Sequence, residues 1–463
     1  MRGVASFEDR AYMQIHGVSR ENARYALRRQ SWPDLCSRVL RNSMDAFMSQ
    51  RLSHASSPAI EGDAGRSRLP SRRSEAARSC WLRPGVIVHD PSVTVDGLLI
   101  EFAAELRQRG FEVRGYARNN GAVASDGTPL SIDLASGAAF VEEPNAAAAH
   151  LLRAIEEKAD LFAVGRFPAC VDATREVGLP IGFGPAKGLP VLTAIAGQSI
   201  HHWHSFVRRE GSMVAPDRRS LWRWWGLDKL YHDLVLGVAE EEITRIACGQ
   251  RWIMVEGRHG AGLAYLPRHP RELIPSLPSL QRESLRTLAR FSLSWNPLEA
   301  ALGVAAINAH YNRFDLEGAQ GNGVRRFRKA PGPVVVIGAF PGVDSILPEC
   351  LIIEKEPRPG EYPTVAMESL LPGCRGAIVN SSALVNQSLL RILRLVSHQA
   401  VALIGPSTPL TSRLYDYGLA VLGGFIVRDA NGLAKAIEGG ALPKDFARFG
   451  RYVHLAEDFA LAG

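Results

Sequence analysis

The chain has 463 residues, 46% of them hydrophobic and 22% charged, with a formal net charge of +7. That length and apolar content suit about three globular domains and exclude a disordered or fibrous protein. The charge does not mark a nucleic-acid binder or a membrane-surface binder, because residues 1–80 hold 14 arginines and 8 acids and leave only +1 for everything after them.

Arginine outnumbers lysine 47 to 7 along the whole chain, a bias that points to genome composition rather than phosphate recognition. The six cysteines, Cys36, Cys80, Cys170, Cys248, Cys350 and Cys374, have no close pair, so neither a disulfide framework nor a zinc-finger spacing is expected. No apolar run reaches the length of a membrane span, and the first ten residues carry acids where a signal peptide has its core. A cytoplasmic protein is expected, with a small ligand or metal as partner, no nucleic acid, no membrane, and homo-oligomerisation left open.

Residues 1–82 are rich in Arg and Ser and read as a disordered basic extension. From residue 83, "GVIVHD", "FEVRGYA", "LFAVGRF" and "LPVLTAI" read as strands. Helices are expected over 95–109, 145–158 and 198–209, with a polar hairpin-like stretch after the second strand. Short apolar strands alternating with helices imply a parallel α/β layer, here over residues 83–226. The turn "HDPSVTVDG" lacks the glycines and the Lys-Ser/Thr pair of a phosphate loop, so nucleotide hydrolysis is not expected. Three histidines in "HHWH" (201–204) suggest a metal only weakly, because His202 points away from the face that His201 and His204 share on a helix. "WRWW" (222–225) reads as an apolar plug at a domain junction.

The stretch "GVIVHDPSVTVDGLLIEFAAELRQRGFEVRGY", with "ADLFAVGRF" and "GLPVLTAIAGQSIHHWHSF", resembles an uncharacterised bacterial family related in appearance to P-loop proteins and associated with molybdate-transport genes. The resemblance covers Arg83 to Trp225. This chain has Pro168 and Ala169 where that family continues with Gly and an acid.

Beyond it, "LYHDLVLGVAEEEITRIACGQ" reads as a helix before a hairpin built from "RWIMVE" and "LAYLP". "SWNPLEAALGVAAINAHYN" marks a helix start, with Asn296 as N-cap, Pro297 at the first position and Glu299 at the third. Glu299 is then either a capping-box partner or a carboxylate shown to a cleft. Asn308, an amide in an apolar stretch, needs buried partners and is a site candidate or an interdomain tie. From Val334 a doubly wound pattern follows: "VVVIG", "CLIIE", "GAIVN", "AVALIG" and "GGFIV" as strands with helices between. The first turn, Gly338 to Gly342, lacks the register of a dinucleotide fingerprint, and Glu354 follows too soon for a ribose-binding acid.

"SWNPLEAALGVAAINA", "VVVIGAFPGV", "IIEKEPRPGEYP", "NSSALVNQSL" and "LIGPSTPLTSRLYDYGLAVLGG" together resemble the bacterial and archaeal heavy-metal chelation family. The resemblance implies an α/β protein of three parts: the N-terminal parallel layer, an α+β domain like the N-terminal domain of enolase (227–323), and a Rossmann-like domain (324–463). It also implies a ligand site between the last two. Carried over by position, that site takes Asn296, Glu299 and Asn308 from the middle domain. From the Rossmann-like loops it takes Gly338, Phe340, Pro341, Ser381, Ser382, Gly405, Pro406, Ser407 and Thr408. Glu354, Glu299 and Glu356 are the candidate metal ligands, Glu356 being an acid where the family often has a neutral residue.

The implied cofactor is a metal ion or metal oxyanion, and the expected function is cytoplasmic metal handling with a molybdenum connection. The alternatives are an enzyme acting on a nucleotide-like or metal-complexed small molecule in the same cleft, and a scaffold for metal-cofactor assembly.

Overall fold

The computed structural model describes residues 82–90, 94–143, 146–177, 188–196, 212–267, 273, 276–396 and 400–457. The basic extension before residue 82, the "HHWH" motif and the helix expected over 198–209 lie outside the described residues. All described residues fall within one compact unit, Arg73–Gly463.

The first layer contains β1 (Leu82–His89), α1 (Asp96–Gln108), β2 (Val113–Val123), β3 (Pro129–Asp133), β4 (Ala139–Val141), α2 (Ala146–Glu156) and β5 (Leu161–Val164). It continues through α3 (Phe167–Val177), β6 (Leu189–Ala196) and β7 (Ser212–Val214). The strands form a seven-stranded sheet ordered β4-β3-β2-β5-β6-β1-β7. Its body is parallel, and the polar hairpin-like stretch appears as the antiparallel edge β2–β3–β4. Helix α1 packs because Leu99, Phe102, Ala103 and Leu106 recur at helical spacing and are all buried. Helix α3 is an addition: its first residue, Phe167, also closes the apolar segment "LFAVGRF", so the sequence reads there as the end of a strand.

Asp217 caps α4 (Arg218–Gly226), accepting from the Ser220 N–H at 2.8 Å, and α5 (Leu230–Gly237) follows. The "WRWW" plug is borne out. Trp222 and Trp225 are 1% and 0% exposed, and Trp222 meets Phe102 of α1 edge-on at 5.7 Å and Tyr417 at 5.6 Å.

The middle region is a meander, β8 (Ile243–Cys248), β9 (Trp252–Gly257) and β10 (Ala261–Tyr265), backed by α6 (Pro297–Tyr311). β8 extends the expected hairpin by a strand, drawn from a segment whose acidic start masks its alternation. Helix α6 is buried almost all round, and its small residues let it approach the sheet closely. A Cβ on Gly262 would lie 2.1 Å from the Ala305 carbonyl oxygen.

The last layer holds β11 (Ala319–Gln320), β12 (Val334–Ile337), β13 (Leu351–Glu354), β14 (Tyr362–Pro363), β15 (Gly376–Asn380), α7 (Leu389–Leu395) and β16 (Ala400–Ile404). β17 (Leu419–Val427), α8 (Ala430–Glu438) and β18 (Gly450–Ala456) complete it. The sheet order is β11-β18-β17-β16-β15-β12-β13-β14, parallel from β14 to β17 and antiparallel at β18 and β11. The chain winds one way from β12 through β13 to β14 and the other way from β15 through β16 to β17. This is the doubly wound arrangement expected, with its switch point between β12 and β15.

Candidate functional site

At the switch point three loops leave the carboxyl ends of β12, β15 and β16. They lie side by side because their glycines allow close approach. Gly338 has φ +83° and a Cβ there would sit 2.7 Å from the Asn380 Cβ; Gly405 has φ +130° and a Cβ there would sit 2.4 Å from the Ser381 Oγ. Both positions need a left-handed backbone beside a packed neighbour, which only glycine supplies without strain. Backbone bonds lock the loops together: the Ser381 N–H donates to the Ile404 carbonyl at 2.7 Å, and the Gly405 N–H donates to the Gly423 carbonyl at 2.9 Å.

Glu354, the end of β13, turns back onto the first loop. Its Oε1 accepts from the Ala339 N–H at 2.5 Å and its Oε2 from the Lys355 N–H at 3.1 Å. Both oxygens therefore serve the backbone. Glu356 is exposed beyond the strand end. Glu299 accepts from the Ser294 hydroxyl, while the Asn296 N–H donates to that same Ser294 Oγ at 3.1 Å. Of the two readings of Glu299, the capping one is thus met through Ser294, because the Asn296 N–H goes to the Ser294 Oγ, while the Asn296 side chain accepts from the Leu298 N–H at 3.0 Å. Among the described residues no group of three or more His, Cys, Asp and Glu is placed to hold a metal ion.

The stretch "GPSTPLT" after β16 lies mostly below the surface. Ser381, Ser407 and Thr408 are 1%, 1% and 0% exposed. The Ser407 Oγ accepts from the Tyr265 N–H of β10 at 3.3 Å, and its own N–H donates to the Ser381 Oγ at 3.3 Å. Asn312, just past α6, clamps the same stretch: its Nδ2 donates to the Thr408 carbonyl at 3.0 Å and its Oδ1 accepts from the Leu410 N–H at 2.8 Å. The Ser407 hydroxyl and the Thr408 carbonyl join the middle region to the Rossmann-like layer, whereas the sequence suggests an open ligand loop. The Thr408 Oγ1 and the Asn308 Oδ1 are buried with no partner in the protein. Asn308 donates its Nδ2 to the Leu263 carbonyl at 2.9 Å, so it ties α6 to β10 within the middle region, and the interdomain tie is Asn312.

Less buried are Phe340 and Pro341 of the first loop, Asn380 and Ser382 of the second and Pro406 of the third. The segment before α6 is tied to the stretch after the second loop by Gln387, whose Nε2 donates to the Ser294 carbonyl at 2.8 Å. Gln387 holds a left-handed φ of +58° to make that reach. Next to it Trp295 is 87% exposed.

Two family profiles, both described as "Putative heavy-metal chelation", match residues 231–311 and 326–456, and a third, "Protein of unknown function (DUF2478)", matches 141–224. A DUF364-family protein of unknown function from Desulfitobacterium hafniense is 31% identical, with 50% of this chain covering 98% of that one at a TM-score of 0.46. The DUF364 model itself covers residues 326–456 of this chain. A second DUF364 protein, from Pyrococcus horikoshii, is 21% identical over 50% of this chain and 99% of its own, at a TM-score of 0.43. The molybdenum import ATP-binding protein ModC 2 of Bradyrhizobium diazoefficiens is 27% identical over 184 residues, 36% of this chain. The chain spans only 20% of that relative's length.

The residues that sequence reasoning misses are Asn312, Asn380 and Gln387. Asn380 ends an apolar strand beside the two serines, and its Oδ1 accepts from the Ser382 N–H at 3.1 Å. A polar residue at the end of a buried strand was the available signal. Asn312 and Gln387 carry no local signal, since each matters through a partner about a hundred residues away.

Proposed function

We propose that this chain handles metal in the form of an oxyanion, held at the switch point by the loops after β12 and β15 and by the start of α6. The observation that carries the choice of oxyanion over bare cation is the commitment of Glu354, whose two oxygens already accept backbone N–H groups. What remains around the loops is the Asn380 amide, the Ser382 hydroxyl and the Asn296 amide, beside a Glu299 carboxylate that the Ser294 hydroxyl engages at one oxygen. Neutral donors suit a tetrahedral oxyanion, while a divalent cation asks for carboxylate, imidazole or thiolate. The family description supports metal handling, and the relative named for molybdenum import supports a molybdate-type ligand.

Calorimetric titration of the full chain with molybdate, and separately with Zn²⁺ and Ni²⁺, tests the reading. Molybdate should bind saturably, and Asn380→Ala with Ser382→Ala should weaken it by about 1–3 kcal/mol, the scale of hydrogen bonds lost from a desolvated site. Divalent-metal binding with no response to molybdate would overturn the oxyanion and redirect attention to "HHWH".

A further inference from the structure

A cavity of about 520 Å³ opens at the amino-terminal edge of the seven-stranded sheet, away from the switch point. There the starts of β1 and β6 meet the turn from α2 into β5 and the stretch from Asp228 to His232. One side is apolar, built from Ala154, Ile155, Ala159, Leu189 and Pro190. The other carries Arg83, Lys158 and Lys229 against Asp160 and Asp228.

The charges there do not balance. Lys229 pairs with Asp160 at 2.5 Å, but Asp228 is shared by Arg83, at 3.5 Å, and Arg394. One guanidinium charge is left over, and Lys158 adds an exposed ammonium. Arg83 is held in place by its Nη2 donating to the Trp225 carbonyl at 3.0 Å, and its buried Nε has no acceptor in the protein.

Lys158 is also placed at a conformational cost. The end of α2 is a Schellman motif: the Ala159 N–H donates to the Ala154 carbonyl at 2.8 Å and the Lys158 N–H to the Ile155 carbonyl at 3.2 Å. The left-handed position of that motif is usually glycine, yet here Lys158 adopts φ +54°. A side chain in that region costs about 1–2 kcal/mol, so nothing in the local backbone favours a lysine there.

We propose that this cavity binds a small organic anion, a phosphate or carboxylate on an apolar body, with the acid at Lys158 beside the surplus guanidinium charge of Arg83 and the body against Ala154, Ile155 and Leu189. The volume lies in the range of small-molecule sites. The site is independent of the oxyanion reading at the switch point.

Calorimetry of the full chain with phenyl phosphate, benzoate and inorganic phosphate tests it. Phenyl phosphate or benzoate should bind saturably and more tightly than inorganic phosphate, and Lys158→Gly should weaken that binding at least about tenfold, or about 1.4 kcal/mol. Glycine removes the ammonium while relieving the left-handed backbone, so the variant should melt no lower than the parent, which separates lost binding from lost folding. No saturable binding of either organic anion, or equal affinity in Lys158→Gly, would overturn the site. Inorganic phosphate binding as tightly as phenyl phosphate would overturn the role of the apolar wall.

Discussion

Asp233 lies where the three parts of the chain meet, and replacing it by Asn removes one charge while keeping the shape. The side chain is 0% exposed, accepting from the Arg109 Nη1 of the first layer at 2.7 Å. It also accepts from the Arg413 Nη1 at 2.5 Å and from the Tyr417 hydroxyl at 3.1 Å, both in the Rossmann-like layer. Glu105, Asp416 and Asp233 balance Arg109, Arg218 and Arg413, so the variant leaves the cluster with one uncompensated positive charge. Breaking a buried pair on one side costs about 3–5 kcal/mol. Arg413 is 24% exposed and keeps some water, and Arg109 keeps Asp416, so the lower end, about 3 kcal/mol, is expected. Equilibrium urea unfolding followed by tryptophan fluorescence reads this directly, because Trp222 lies 4.3 Å under the Arg109 guanidinium. A further Arg413→Met change should restore part of the loss by removing the orphaned charge. A loss below about 1 kcal/mol for Asp233→Asn would refute the reasoning, since it would mean that the cluster behaves as an exposed pair.

Asn312→Ala should destabilise the chain by about 2–4 kcal/mol, because it orphans the Leu410 N–H and the Thr408 carbonyl in a dry seam; urea midpoints measure it. Burial holds His150, His232 and His310 below the ordinary imidazole value, so the unfolded chain takes up protons that the folded one resists. Stability should therefore be full above about pH 6.5 and be lost as pH falls through that unfolded value, and His310→Gln should flatten the profile between about pH 7.5 and 5.5. Burial raises the thiols of Cys170 to about 12 and of Cys248 to about 11, and also raises those of Cys350 and Cys374. Peptide mapping after iodoacetamide treatment of the native chain should find these four unmodified near neutral pH and labelled after denaturation.

Local features were settled by near neighbours and so were legible in the sequence. The apolar spacing of α1, the Asn296-Pro297 start of α6, the β9–β10 hairpin and the alternating strands from Val334 depend on residues within a turn or two of each other. The strands β8 and β18 and the helix α3 were less legible, because their apolar patterns are short and take their stability from the layers they join. The site divides the same way. Glycine, proline and hydroxyls after a buried strand correctly mark a sheet-edge loop at "GPSTPLT", but which face of it meets water depends on β10, some 140 residues earlier in the chain. Docking that strand buries Ser407 and Thr408, with the Ser407 hydroxyl as a strut, and leaves Asn380, Ser382 and the α6 start towards solvent. Asp233 reads locally as an ordinary helix residue and Asn312 as an ordinary helix end, and only the packing of distant layers makes them buried polar groups whose partners must come from elsewhere in the fold.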